Sequence, residues 1–570
     1  MIILGLNCFH GDASAAVFRD GELIAAAEEE RFNRFKHSGG FPSNAIRWCL
    51  YEAGIDVRDI DYVAIPRKSS AHILRKLIWA ARLPVASTAR FKALKNFISL
   101  KEQLASCFGL KANEIKADFK FVEHHLAHMA SSFYTSEHQN AAVVSIDGMG
   151  DHASMVWGVG EGKKLIIKDY VYFPHSLGFL YTAITQYLGM RAYGDEYKTM
   201  GLASYGNPKY EDIFQKIAQI GKSIDFKLDL SYFIHHNKGI DMTFEEGEPY
   251  IGAMFSDKLV KTFGPPREPG SPVNSHHKDI ASSLQKRTEA IVLELLRRVK
   301  YSSGQQNLCY AGGVAFNCVL NGRILGETGF DDLYIQPAAG DAGLAIGASL
   351  FVYHHILGNP RKFVMKHSYW GPEYSNDKIK GELNDAGLRF STKDESHLSD
   401  HIASKLAEGK IVAWYQGKAE WGPRALGNRS ILADPRDENM KEILNQKIKN
   451  RESFRPFAPS VLKEKAQEWF EGRTDSPFML ITYNAKKEKI KYMPAPIHVD
   501  GSARIQTVDK STNPLYWNLI KQFENQTGVP ALINTSFNES EPIVDTPKQA
   551  IETFTRTNMD VLVMGNYVIE

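Results

Sequence analysis

The sequence predicts an α/β chain of two domains, the first of them internally duplicated. Three observations carry this. A strand–turn–strand unit near the N-terminus returns within residues 142–173. A long helical repeat at 278–300 runs directly into a strand and a glycine pair. Helix and strand signals then resume beyond a shift in composition near 356–375.

In the first copy, residues 2–7 (IILGLN) read as a buried strand. ASAAVFRDGELIAAAEEE follows as strand, Asp-Gly turn and strand, a hairpin by its turn chemistry. In the second copy, residues 142–147 (AVVSID) form the strand, Gly-Met-Gly-Asp the turn, and ASMVWGVG and KKLIIKDYVYF the next two strands. Two such units suggest a duplicated α/β domain. Duplications of this kind are known in the superfamily of actin, sugar kinases and heat-shock chaperones, where a phosphate or nucleotide lies between the copies. Over 278–300, Ile280, Leu284, Ile291, Leu295 and Val299 share one broad helical face. The strand NLCYAGGVAFN comes next. Residues 237–275 are rich in Gly, Pro and charge and lack periodicity. They read as a loop, either a lid on the substrate side or a surface insertion. KIVAWYQG and ALINTSFN mark strands of the second domain. The expected division is 1–360 and 370–570.

The 570 residues exceed what one hydrophobic core usually supports, which agrees with two domains. With 43% hydrophobic and 24% charged residues the composition is that of an ordinary globular protein. A formal net charge of +2 gives no bulk argument for a nucleic-acid or membrane surface. Substrate anions must then be held by local basic clusters. Cys8, Cys49, Cys107, Cys309 and Cys318 are scattered and odd in number, a poor disulfide framework that favours a reducing cytoplasm. The N-terminus lacks the basic region of a signal peptide. No apolar run reaches the roughly 18 residues of a spanning helix. Residues 76–92 are interrupted by Arg82 and Pro84 and read as a surface or interface helix.

The sharpest chemical motif is His124-His125-Leu126-Ala127-His128. His124 and His128 are four apart, so on a helix they share a face and can bind one transition metal. No glutamate lies between them, which disfavours a zincin protease. A structural histidine pair is the alternative. Asp147 closes a buried strand beside a glycine turn and is placed as a third ligand. Asp341, in PAAGDAGLAIGA, follows the strand LYIQ and opens a glycine-rich helix, either as a further ligand or as an ordinary cap. His125 points away from the other two and suits a hydrogen-bonded role.

Three further segments suggest phosphate handling. Ala311-Gly312-Gly313-Val314-Ala315-Phe316-Asn317 follows a strand, and its glycines permit close approach of a nucleotide or simply a turn. Lys198, in GDEYKTMG, is placed to hold a phosphate or carbamoyl oxygen, or belongs to a charged loop. Lys418, Arg424, Arg429, Lys449, Arg451 and Arg455 concentrate within 418–455. Arginines hold planar oxyanions in bidentate fashion, and several together can carry a triphosphate. Arg424 and Arg455 sit among Pro, Ala, Leu and Phe, a context that an unpaired arginine avoids. Asn534, Ser536 and Asn538 offer short polar groups just after the strand ALI, or a turn.

Taken in order, LGLN…DASAA, AEEERFNRFKH, HHLAH, SIDGMG, SLGFLYTAIT, GDEYKTMGLASYG, AGGVAFN, GDAGLAIGA, GPRALGNRS, RPFAPS and NTSFN resemble the O-carbamoyltransferases of the NodU/CmcH family. These enzymes modify antibiotics, toxins and nodulation factors. The resemblance runs from about residue 2 to the end and implies the fold. The larger N-terminal domain would be similar to the actin-like threonylcarbamoyl transferase, and the smaller C-terminal domain would be YrdC-like. It implies two reactions, formation of carbamoyl-adenylate from carbamoyl phosphate and ATP with Mg(II), then transfer to an acceptor hydroxyl near a metal. It also implies roles. His124, His128, Asp147 and Asp341 would bind the metal. Lys36 would stand beside the transfer site, and Gly312, Gly313 and Asn317 would line the adenylate pocket. Arg424, Arg429, Lys449, Arg451, Arg455, Asn534, Ser536 and Asn538 would line the activation site, with Arg504 as another basic position there. The family often reads His-Asp before its small-residue run. This chain has His10-Gly11-Asp12, and the extra glycine bears on His10 as general base.

The family points to Fe(II), while two histidines and two aspartates suit Mn(II) or Zn(II) equally. Expected partners are carbamoyl phosphate, ATP and a hydroxylated small-molecule acceptor, with neither nucleic acid nor membrane, and with a homodimer left open. A tRNA threonylcarbamoyl-type transferase would share the N-terminal architecture, but the fused GPRALGNRS domain and near-neutral charge disfavour it. A hydrogenase-maturation carbamoyltransferase would carry zinc-finger cysteines. A non-enzymatic actin-like ATP-binding protein would not require the histidines, aspartates and arginines together.

Overall fold

In the computed structural model, which describes residues 1–82, 99–243 and 249–570, the chain divides into two compact units, Met1–Met365 and Lys366–Glu570. In the first, β1 (Ile2–Asn7), β2 (Ser14–Arg19) and β3 (Glu22–Glu28) form an antiparallel meander. Asp20 and Gly21, at φ 51° and 85°, make the tight turn between β2 and β3, as their residue types predict. Next come α1 (Ser43–Ala53), β4 (Tyr62–Ile65), α2 (Ile73–Arg82) and β5 (Asp118–Phe121). The sheet order is β3-β2-β1-β4-β5, with β4 parallel to both β1 and β5. The helix α3 (His124–Phe133) leads to the second sheet.

That sheet is built from β6 (Asn140–Gly150), β7 (Ala153–Glu161) and β8 (Lys164–Tyr172). The helices α4 (Leu177–Tyr187), α5 (Glu196–Ala203) and α6 (Ser275–Ser303) follow. Then come β9 (Asn307–Ala311), α7 (Cys318–Thr328), β10 (Asp332–Ile335) and α8 (Leu344–Leu350). Its order, β8-β7-β6-β9-β10, repeats the first sheet strand for strand, a meander followed by two parallel strands. This is the duplicated α/β architecture that the two strand–turn–strand units predict. Leu4, Leu6, Val17, Ile46, Leu50 and Leu104 pack together as the core against one face of the first sheet.

Several local readings need correction. The glycine run after Asp147 is not a turn. β6 continues through Gly148–Gly150 with a break in register, and the chain reverses at Asp151–His152, both with positive φ. The Lys198 segment is helix α5 and not a charged loop. The helix at 278–300 extends over Ser275–Ser303, because the Asn274 side chain caps its start and Gly304 ends it at φ 65°. Of the helix expected within 76–92, α2 accounts for the part up to Arg82, and 83–92 lie outside the described residues. Within 237–275, apart from 244–248, which are likewise outside, the segment is fastened to α4. Gln186 bonds the backbone at Ile251, Gly252 and Met254, and the Tyr187 hydroxyl donates to Gly264 O. Side chain-to-backbone bonds of this kind leave no periodic trace in sequence. No disulfide joins the five cysteines.

α8 is the piece that positions the site. It is buried throughout, lying against β1 and α3. Contact is made backbone to backbone. A Cβ at Gly5 of β1 would overlap Ala345 O, and a Cβ at Gly347 would overlap Ala127 O of α3. Gly347→Ala is therefore expected to lower stability by about 3 kcal/mol, the upper range for overpacking a close-fitted core. The drop should appear as a lower midpoint in urea unfolding at unchanged slope.

The second unit begins with α9 (Asn376–Asp385), β11 (Ser391–Thr392), α10 (Glu395–Ala407), β12 (Val412–Tyr415), β13 (Arg429–Ala433) and β14 (Ala458–Leu462). It ends with β15 (Gln506–Val508), α11 (Pro514–Thr527), β16 (Ala531–Ser536), α12 (Pro547–Arg556), β17 (Val561–Met564) and β18 (Tyr567–Ile569). One mixed sheet, β11-β18-β17-β12-β13-β16-β14-β15, spans the unit. α10 and α11 cover one face through Leu398, Ile402, Leu519 and Phe523. α9 and α12 cover the other through Ile379, Leu383, Ala550 and Ile551. β16 runs through Asn534 and Ser536, so these residues belong to the sheet and do not follow it.

Candidate functional site

α3 starts at His124 because the Glu123 carboxylate caps it, accepting from the backbone N–H groups of His125 and Leu126 at 3.1 and 2.9 Å. Burial and the nearby charge of Asp151 push Glu123 up to about 8. The helical period then sets His124 and His128 on one face, their Nε2 atoms 3.1 Å apart. His125 turns away, its Nδ1 2.9 Å from the Ser145 hydroxyl. Asp147 enters from β6 and Asp341 from the turn before α8. His124 Nε2 lies 3.5 Å from Asp147 Oδ2 and 3.7 Å from Asp341 Oδ1. His128 Nε2 lies 3.9 and 3.3 Å from the same atoms. All four residues are buried, and their donor atoms fall within 4.8 Å of one another.

These separations fit a cation. Donors about 2.1 Å from a common centre lie roughly 3.0–3.5 Å apart at angles of about 90–110°. Two glycines stand directly against the ligands. A Cβ at Gly150 would overlap the His124 ring, and one at Gly313 would stand 2.9 Å from Asp147 Oδ1. Burial and the Asp341 charge would raise the Asp147 pKa, but the two histidines outweigh them and draw it to about 2.

The neighbours of the ligands are also placed. Gly313 N–H donates to Asp147 Oδ1 at 2.7 Å. That contact requires Gly312 at φ 92°, a position where a side chain would run into Ile146 O. The glycine pair expected at a nucleotide thus also orients a carboxylate. His10 Nδ1 is 2.5 Å from Asp341 Oδ2, the oxygen turned away from the other ligands. Burial alone would lower the His10 pKa, but the Asp341 charge and hydrogen bond raise it. Sequence reasoning missed Asp151. It accepts from the His124 and Lys68 backbone N–H groups at 3.2 and 2.8 Å and from Lys76 Nζ at 3.2 Å. The only signal was an aspartate ending the glycine run.

Other expected residues are distributed unevenly. Lys36 is half-buried beside His37, whose Nδ1 is 2.7 Å from Asp12 Oδ1. Lys198 Nζ pairs with Asp195 at 2.8 Å. Asn317 caps α7 and exchanges hydrogen bonds with Gln285 at 2.9 and 3.0 Å, so its amide is engaged within the fold.

In the second unit the segment Glu420–Arg429 is a closed loop held from both sides. One oxygen of the buried Glu420 accepts from the backbone N–H groups of Leu426, Asn428 and Arg429 at 2.7, 2.9 and 3.2 Å. The loop carbonyls are taken as well. Asn534 donates to Ala425 O, Gln506 and Tyr369 to Leu426 O, and Trp414 to Gly427 O. Pro423 is exposed and Arg424 half-buried, while residues 425–429 are buried. Lys418 is half-buried at the entry to the loop, and Arg504 is half-buried on a short strand pairing with Thr482. Arg451 Nε donates to Asn445 Oδ1 at 2.7 Å, and Arg455 lies 3.7 Å from Glu452.

Two of the expected phosphate ligands are spent inside the fold. The guanidinium of Arg429 is fully buried over the Tyr415 ring at 3.8 Å and donates to Gln416 O, Asn428 O and Pro372 O. Lys449 Nζ, also buried, donates to Ser536 O, Asn538 O and Asn538 Oδ1 at 2.6, 2.7 and 2.8 Å. Lys449 therefore shapes the Ser536–Asn538 bend, and Asn534 holds the arginine loop. Arg424 is the cation that the loop presents.

Comparison with known proteins shows the family. Residues 2–350 match the family model described as carbamoyltransferase N-terminus, and residues 403–570 the one described as carbamoyltransferase C-terminus. The chain is 41% identical over 605 residues to the uncharacterized protein sll1178 of Synechocystis sp., covering 100% of this chain and 96% of that protein. It is 38% identical over 575 residues to the nodulation protein NolNO of Sinorhizobium fredii, covering 99% of this chain and 79% of that protein. Among solved structures, HypF of T. kodakarensis aligns over 63% of this chain and 48% of that chain at 14% identity with a TM-score of 0.32, too weak a likeness to bear on function. Both family models are matched along one chain, and together they span nearly all of it. The protein thus belongs to the carbamoyltransferase family and is an enzyme of that class.

Proposed function

We propose that this carbamoyltransferase is ATP-dependent, transfers its carbamoyl group to a hydroxyl oxygen, and works in two steps, one in each unit. The observation that carries the reading is the convergence of His124, His128, Asp147 and Asp341, with all donor atoms within 4.8 Å of one another. In the YrdC-like Lys366–Glu570 unit, water hydrolyses carbamoyl phosphate to carbamate and inorganic phosphate, breaking the bond between the carbamoyl group and the phosphate. A carbamate oxygen then attacks the α-phosphorus of ATP, pyrophosphate leaves, and carbamoyl-adenylate remains. Negative charge shifts onto the leaving pyrophosphate, where fixed cations act strongly. Arg424 is the first of these, with Lys418, Arg451, Arg455 and Arg504 as further cations and Asn538 and Ser536 as polar contacts.

In the Met1–Met365 unit the acceptor hydroxyl oxygen attacks the carbamoyl carbon, the bond to the adenylate oxygen breaks, and AMP leaves. His10 takes the hydroxyl proton. Its pairing with Asp341 supports this, since a carboxylate partner makes imidazole more basic. Lys36 and Lys198 contribute positive charge beside the reacting group, and Gly312, Gly313 and Asn317 line the adenylate. A divalent cation on the four ligands, Fe(II) by resemblance with Mn(II) and Zn(II) equally suited by donor type, supplies Lewis-acid stabilisation of phosphate charge when bound.

Incubation with ATP, Mg(II), carbamoyl phosphate and a panel of hydroxylated small molecules tests the proposal. Pyrophosphate release that depends on carbamoyl phosphate, and a carbamoyl mass addition to an acceptor, are the expected results. Pyrophosphate release indifferent to carbamoyl phosphate would overturn the activation step.

A further inference from the structure

Residues 62–101 contain nine lysines and arginines and no aspartate or glutamate. The chain as a whole has 68 basic and 66 acidic residues, which would place about five of each in a stretch that long. Helix α2 lies within this stretch. Its inner side is fastened to the Met1–Met365 unit. Lys76 Nζ reaches Asp151 Oδ1 at 3.2 Å, the His72 ring meets the edges of Tyr170 and Tyr172 at 4.8 and 5.1 Å, and Trp79 meets Phe173 at 5.2 Å.

The outer side is aliphatic. Ile73, Leu74, Leu77 and Ile78 are 48%, 75%, 58% and 54% exposed. Their spacing, two adjacent pairs one helical turn apart, puts them on a single face. Single exposed apolar side chains need no explanation, but four contiguous ones on one helix mark a contact surface. Lys68 and Arg75 are the exposed cations beside them, Arg75 resting over the Tyr172 ring at 3.8 Å.

Charge and shape select the occupant. A second copy meeting this face through a two-fold axis would set one acid-free basic segment against another, which like-charge repulsion opposes. A partner protein that engulfs an amphipathic helix needs that helix free, whereas the polar side of α2 is already bound to Asp151 and the tyrosines. What remains is a flat, apolar and anionic surface. We propose that α2 docks this protein on an anionic phospholipid surface, with Ile73, Leu74, Leu77 and Ile78 entering the boundary between headgroups and acyl chains and with Lys68 and Arg75 meeting lipid phosphates. Among the described residues no helix is long and apolar enough to cross a membrane, so the association is peripheral. Asp151 accepts from both Lys76 and the His124 backbone, so the docked helix is one side chain removed from the ligand helix α3.

The test uses the full chain and sedimentation with vesicles of phosphatidylcholine, with or without about one-third phosphatidylserine, at low and at about 1 M salt. About tenfold more protein should sediment with the anionic vesicles at low salt, and the difference should vanish at high salt. Leu74→Glu combined with Leu77→Glu should abolish that gain while carbamoyl-phosphate-dependent pyrophosphate release stays at the wild-type rate, and an unchanged far-ultraviolet circular dichroism spectrum and urea midpoint show that the variant is folded. Leu74→Trp, which keeps the apolar character, should bind at least as well, and its fluorescence should shift to the blue on adding anionic vesicles. Equal sedimentation with both vesicle types, or binding by the double glutamate variant at the wild-type level, would overturn the proposal. So would a wild-type dimer that the double variant converts to monomer without any vesicle binding, because a second copy would then cover the face. None of these readouts depends on the hydroxyl acceptor or on the metal.

Discussion

His128→Ala should lower carbamoyl transfer to the acceptor by about a thousandfold, the several kcal/mol that a Lewis acid contributes to charge stabilisation. Carbamoyl-phosphate-dependent pyrophosphate release should stay within about twofold of wild type, since the activation residues belong to the other unit. His128 is fully buried, and its Nε2 stands 3.1 Å from His124 and 3.3 Å from Asp341. The variant removes one of four donors and leaves Asp147 and Asp341 with one histidine fewer between them. Metal content, measured by mass spectrometry on protein exchanged into each divalent ion, should fall with the transfer rate. His128→Gln, closer in volume, separates loss of the donor from loss of packing. A well-folded variant that loses both activities together would sink the assignment of the two steps to separate units.

Arg424→Ala should lower pyrophosphate release by about 10²–10³-fold, the usual loss when one donor to developing oxyanion charge is removed. Unfolding should change little, because Arg424 is only half-buried and the Glu420 carboxylate still holds the loop backbone. Glu420 provides the control. Its carboxylate collects three backbone N–H groups of that loop, so Glu420→Gln should lower release by displacing Arg424. In an Arg424→Ala background the same change should cost far less, since the two would act as one unit. Additive losses would show that Glu420 supports folding alone. Unchanged release in Arg424→Ala would refute the role given to the arginine itself.

Much of this was open to reading from the residues because it is local. The Asp20-Gly21 pair between two apolar runs makes a hairpin by local turn chemistry, and two strand–turn–strand units implied the duplication. Two histidines four apart share a helical face by the geometry of the backbone. Errors came where distant residues decide. The glycine run after Asp147 reads as a turn, yet β6 continues through it because β7 pairs again at Gly150 with Ala153. The Lys198 segment reads as a charged loop because its charges hide the helical period.

The sequence by itself determined the α/β class, the repeat of the strand unit, the histidine pair and the loci of basic charge. It also carried, through the order of its motifs, the family. Only the tertiary structure decided which cations remain available. Arg424 and Arg429 stand five residues apart in one motif, but Arg429 is fully buried against carbonyl groups while Arg424 is half-buried. Lys449 is bound to Ser536 and Asn538, 87 and 89 positions along the chain. A buried cation must satisfy every donor it carries, and those acceptors come from whatever strands the sheet brings beside it. The same holds for the four-residue cluster. His124 and His128 are neighbours by helical period, whereas Asp147 is brought in by β6, and Asp341 reaches them because two glycines, Gly5 and Gly347, let α8 lie directly against β1 and α3.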